Sequence, residues 1–160
     1  MLARFWSQPS RPYRDFQIAF WLLGLHFFFP ALSYAFAPGI AAEQFSTIGE
    51  LLGAGPYAAP EAESRIWRYL ASANVMSLAL MCFMLASNLR RFWPVLPALV
   101  FLKGYNASLF LLDFVVHRYA PFLAVALWDL SNCAMFVFFA RRAHRDIAGR
   151  ADAVLVPRPR

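Results

Sequence analysis

The sequence predicts an all-α integral membrane protein. It reads as a four-helix bundle with N-in/C-in topology and a short amphipathic helix in the long outer loop between the first two spans. Three observations predict it. The 160 residues are 61% hydrophobic and only 15% charged, against about 45–50% and about 25% in soluble domains. Four runs reach the roughly 20 mainly apolar residues that cross a bilayer. The basic residues gather at the ends of those runs, with a strong bias to one side.

The runs cover 16–36, 66–87, 92–116 and 119–140. The outer loop is then 37–65, and basic tails occupy 1–15 and 141–160, leaving little chain for a soluble domain. In the first tail, Phe5, Trp6 and Tyr13 stand among arginines and prolines, a mixture suited to cytoplasmic headgroups. The first span contains Pro30, which should kink it. Its apolar run is longer than the roughly 7–15 residues of a signal-peptide core, and Pro38 directly follows the Ala35-Phe36-Ala37 triplet. It is therefore read as a retained span.

Pro38-Gly39 ends that span. Ala41, Phe45, Ile48 and Leu52 then recur at helical spacing, with Glu43, Gln44 and Glu50 elsewhere around the turn. Gly53-Ala54-Gly55-Pro56 stops this loop helix, which either packs on the outer surface or caps a cavity between the spans. Pro60, Glu61 and Glu63 suit the start of the second span, with acidic groups at the positive end of the helix dipole. Spans two and three are joined by Asn88-Leu89-Arg90-Arg91, and three and four by His117-Arg118. Links this tight make antiparallel neighbours, so spans two to four are expected to form one up-and-down unit. Pro94 and Pro97 fall in the first turns of span three, where a missing N–H costs least. Tyr34, Trp67 and Tyr119 mark one interface and Tyr13 and Trp93 the other, as aromatic belts do. Trp21 and Trp128 lie deeper, where packing is expected.

The net charge of +6 is distributed for topology and not for nucleic acid. Eleven arginines (4, 11, 14, 90, 91, 141, 142, 145, 150, 158 and 160) fall on one side, and Arg65, Arg68 and Arg118 on the other. The positive-inside rule places both termini in the cytoplasm and the chain in the inner membrane as a multi-pass protein. Cys82 and Cys133 are isolated and form no C-x-x-C, so neither a metal site nor a redox dithiol is expected. His26, His117 and His144 differ too much in depth to hold a haem as a pair. No cofactor is expected. Hydrolase, zinc-protease and phosphate-loop signatures are absent, so catalysis has no motif behind it.

Chemistry concentrates instead at the middle of the membrane. Lys103 is the single lysine and sits inside span three, where a cation costs at least roughly 2.5–3.5 kcal/mol unless it is compensated. Counting 1.5 Å per residue from the span ends, His26, Asn74, Lys103 and Asp129 all fall near one level. Lys103, Asn106, Phe110 and Asp113 share one helix face, as do Asp129, Asn132 and Cys133. Asn74 and Ser77 share another, with Ala73 and Ser77 permitting close approach. These faces are expected to meet inside the bundle, because lipid cannot satisfy them.

The expected core is a Lys103–Asp129 ion pair shaped by His26, Asn74, Asn106 and Asn132. Asp113 lines the outer approach and pairs with His117, Arg118 or Arg68. Such a core binds or transports a proton, an ion or a small molecule, with His26 as a protonation switch where the site is wet. Alternatively it only locks the bundle of a structural or assembly subunit in a larger membrane complex. A third reading is an enzyme acting on a lipid-soluble substrate. The expected partners are the lipid bilayer and either a second copy or a larger membrane complex. The order of spans, one long loop followed by three tightly joined helices, resembles small four-helix membrane families such as the DoxX-like and sigma-2-receptor-like proteins. That resemblance is of architecture and implies no activity.

Overall fold

A computed structural model describes residues 10–55 and 64–150, with no strand among them. Expectations for Arg4, Phe5, Trp6, Pro56, Pro60, Glu61, Glu63, Arg158 and Arg160 lie outside the described residues. The helices are Arg11–Phe36 (α1), Pro38–Leu51 (α2), Arg65–Ser87 (α3), the single turn Leu89–Phe92 (α4), Val95–His117 (α5) and Ala120–Ile147 (α6). Four of them, α1, α3, α5 and α6, are long and apolar enough to cross a membrane.

Helix ends follow caps, and hydropathy only approximates them. α1 starts ahead of its apolar run because the Ser10 hydroxyl accepts from the Tyr13 N–H at 3.3 Å and Pro12 fits the first turn. α6 runs past Ala140 to Ile147, carrying its arginines in helical register. Pro94 precedes α5, and the Asn88 side chain caps α4 by accepting from the Arg91 N–H at 3.0 Å. The third long apolar helix therefore begins at Val95. α5 stops where Arg118 turns left-handed at φ 55° and its N–H closes on the Phe114 carbonyl. α1 continues through Pro30, which has no N–H to give the His26 carbonyl.

Hydrogen bonds fix the directions. Gln17 Nε2 donates to the Ala86 carbonyl at 3.1 Å and Ser72 Oγ to the Ala31 carbonyl at 2.7 Å. Low numbers of α1 thus meet high numbers of α3, which is an antiparallel pair. Cys133 Sγ donates to the Val100 carbonyl at 3.5 Å, and Lys103 meets Asp129, so α5 and α6 are antiparallel too.

The most extensive packing is α1 on α3 and α5 on α6, and α1 joins the two pairs through α6. Consecutive α3 and α5 touch only lightly. Of the up-and-down unit expected from spans two to four, α5 and α6 are antiparallel partners, whereas α3 packs chiefly on α1 and not on α5. A short connector sets direction, but packing goes to the faces that fit. Here the connector spends its residues on α4 and the Trp93-Pro94 step.

The core lies toward the end that holds the α1 start and the α6 finish. Its spine is aromatic: Tyr13, Phe16, Phe20 and Phe136 follow one another at centroid distances of 5.7, 4.4 and 5.7 Å, and Phe27 reaches Phe136 at 6.2 Å. All five are at most 3% exposed. At the same end Leu89 N–H donates to Tyr13 Oη at 3.4 Å, Arg90 Nη2 caps the Ile147 carbonyl at 2.6 Å, and Trp93 stacks on His144 at 4.1 Å. At the opposite end α2 leans on α6. Phe45 lies 6.0 Å from the Tyr119 ring and 5.8 Å from the Phe122 ring, and Tyr119 Oη donates to the Gly55 carbonyl at 2.9 Å.

Outward surfaces are as apolar as the interior. Leu22, Phe29, Leu80, Phe101, Val116, Leu127 and Phe138 are each more than half exposed. In water so much exposed apolar area would aggregate, whereas against acyl chains it costs nothing. The architecture suits a membrane protein.

Candidate functional site

α5 and α6 each turn a polar step into the bundle. On α5, Lys103 and Asn106 are one turn apart; on α6, Asp129 and Asn132 are. The antiparallel pairing brings the two steps together. Lys103 Nζ donates to Asp129 Oδ1 at 2.5 Å, and Asn106 Nδ2 donates to Asp129 Oδ2 at 2.5 Å. Each carboxylate oxygen therefore has its own donor. Lys103 is 8% exposed and Asp129 1%, so the pair is withdrawn from solvent and lipid alike. A third helix contributes through Phe27, whose ring centre lies 4.8 Å from the ammonium. The negative face of an aromatic ring attracts a desolvated cation.

Asn132 is fully buried, and neither its Oδ1 nor its Nδ2 has a hydrogen-bond partner. A buried amide atom without a partner costs about 1–3 kcal/mol, which makes Asn132 the anomaly of this centre. It stands one turn from Asp129 toward the aromatic spine, where Phe20, Phe27 and Phe136 close the interior. On the other side of the ion pair Asn106 is only half-buried.

The remaining sequence candidates are placed elsewhere. His26 is exposed on the outside of α1, and its Nε2 accepts from Trp128 Nε1 at 3.2 Å. It lies level with the ion pair, since Phe27 and Asp129 are the chain neighbours of these two residues, but it faces away. Asn74 and Ser77 are exposed on α3, where Ser77 Oγ donates to its own helix at the Ala73 carbonyl. The expectation that they face the interior is corrected. Asn74 stands one turn from the buried Leu78, on the exposed side of α3. Asp113 is exposed and makes no ion pair or hydrogen bond among the described residues, so pairing with His117, Arg118 or Arg68 does not occur. Cys133 is half-buried beside Val100, and Cys82 is fully buried in the α1–α3 core.

Three polar features were not singled out by sequence reasoning. Phe27 as the cation's third neighbour was legible as the residue beside His26 at matching depth. Gln17, fully buried with its Oε1 unpartnered, was legible as an amide just inside span one. The Ser72–Ala31 link had no signal in the pattern.

Among the described residues, clefts open on the surface away from the ion pair, and two of them are well formed. One, of about 450 Å³, lies between α2 and α6 and is lined by Ile48, Leu51, Leu52, Ala124, Val125 and Trp128. The other, of about 740 Å³, follows α6 past the aromatic spine. No protein-family model matches the chain, and comparison with curated proteins and with solved structures finds no similar one.

Proposed function

We propose that this chain is a small polytopic protein of the inner membrane, both termini cytoplasmic, which binds a proton, an ion or a small polar molecule at the centre formed by Lys103, Asp129, Asn106 and Asn132. One observation carries the reading: a desolvated ion pair stands one helical turn from a fully buried amide with no partner. Intramembrane ionisable groups are expensive and usually mark a pathway or a site. A hydrogen-bonding guest at Asn132 would satisfy the amide and sit in the field of the charged pair. Phe20, Phe27 and Phe136 back the centre on the basic side, and half-buried Asn106 stands on the other. This asymmetry supports binding with entry from the loop side over free passage through the bundle.

A specific observation favours a second reading, a bundle lock in a structural or assembly subunit. Both oxygens of Asp129 are already taken, and the pair ties α5 to α6 while Phe27 ties it to α1. The variant Lys103→Met/Asp129→Leu separates the two, because replacing both partners of a buried pair by apolar groups is often neutral in stability. Native mass spectrometry in mild detergent is expected to show a bound small species on the wild-type chain and none on the folded double variant. Equal spectra from the two would leave the lock as the role of the centre.

A further inference from the structure

The cleft along α6 lies at the opposite end of the molecule from α2 and belongs to no part of the polar centre. Its wall combines two chemistries on one helical stripe. Ala134, Val137 and Phe138 form the inner part, and Arg141, Arg142 and Arg145 the outer part. These positions follow i, i+3, i+4, i+7, i+8 and i+11, so they share a face. By the helical rise they extend over roughly 16 Å. Phe138 is 57% exposed, and Arg141, Arg142 and Arg145 are exposed.

Charge on this wall is not balanced from within. None of the three arginines has an ion pair or hydrogen bond among the described residues. Asp146, the acidic residue on the wall, pairs with Arg150 at 3.5 Å, although Arg142 stands one turn away from it. Arg90 has a structural task as the cap on Ile147; these three have none. Guanidinium forks fit phosphate oxygens two at a time. An apolar strip leading from the phosphate level into the membrane fits an acyl chain. We propose that this cleft binds an anionic phospholipid, with its phosphate on Arg141, Arg142 and Arg145 and an acyl chain along Ala134, Val137 and Phe138.

The test uses the full chain in nanodiscs of mixed phosphatidylglycerol and phosphatidylcholine, followed by native mass spectrometry of retained lipid. Wild type is expected to retain phosphatidylglycerol in preference to phosphatidylcholine. Arg141→Gln/Arg142→Gln/Arg145→Gln is expected to lose that preference, by roughly a hundredfold if each arginine near the membrane surface contributes about fivefold. Phe138→Asn is expected to weaken retention while leaving the charge intact. Wild type holding the two lipids equally would overturn the proposal without reference to any variant's folding. So would a folded triple variant that keeps its phosphatidylglycerol. Displacement of the lipid by millimolar inorganic phosphate would assign the arginines to a free anion and also overturn it.

Discussion

Asn132 and Asp129 stand one turn apart on the same helix, yet they should respond oppositely to loss of their polar atoms. Asp129 neutralises Lys103, so Asp129→Leu alone leaves a buried cation uncompensated. The expected loss is about 3–5 kcal/mol, read as a lowered midpoint of thermal unfolding in detergent. Asn132 has no partner to lose. Asn132→Leu, which keeps the number and branching of heavy atoms, is expected to leave stability unchanged or raise it by about 1–2 kcal/mol, and to abolish any bound species in the native mass spectrum. A destabilisation comparable to that of Asp129→Leu would show that the amide is part of the lock. At this scale the sequence revealed which of a few residues stand level with one another. Lys103 and Asp129 do meet, and His26 does lie at their level. Azimuth was not legible for His26 and Asn74. Successive helical residues are turned by about 100°, so Phe27, and not His26, meets the ammonium.

Among the elements, α1 and α3 depend on a close approach that only a glycine permits. Gly24 is buried in mid-helix, and a Cβ built there would overlap the Phe83 ring, which also lies 4.8 Å from the ring of Trp21. Gly24→Ala is expected to destabilise by about 1–3 kcal/mol through overpacking. Phe83→Leu in the same chain should recover part of that loss, since the obstructing atoms belong to one ring. Melting curves of the two single variants and the double variant give the coupling, and strict additivity would mean that the two positions do not touch. The extents of the helices were mostly legible, because a hydropathy run measures how much chain can sit in lipid. The surplus at Arg11 and Ile147 was not, because Ser10 and Arg90 extend those helices through hydrogen bonds that hydropathy does not register.

For the molecule as a whole, orientation is the property to test. The arginine asymmetry of eleven to three predicts both termini in the cytoplasm. Fluorescent-protein and alkaline-phosphatase fusions should therefore report the cytoplasmic side at each end. A phosphatase signal at either terminus would reverse the assignment and move the arginine cleft to the other leaflet. Helix partnership belongs to the same scale. The tight link between α3 and α5 suggested close packing, but the extensive contacts are α1 with α3 and α5 with α6. Loop length constrains where a chain can turn and says little about which side chains fit together.

By itself the sequence determined that the chain has four helices long and apolar enough to cross a membrane, where each lies to within a turn or two, and that Lys103 and Asp129 stand at one level. These follow from one-dimensional quantities: the length of an apolar run and the rise per residue. Only the tertiary structure decided which polar groups at that level face one another, that Asn132 is left without a partner, and that the stripe of Phe138 and the α6 arginines is left exposed. Those depend on how each helix is rotated about its axis, and rotation is settled jointly by every contact across the bundle.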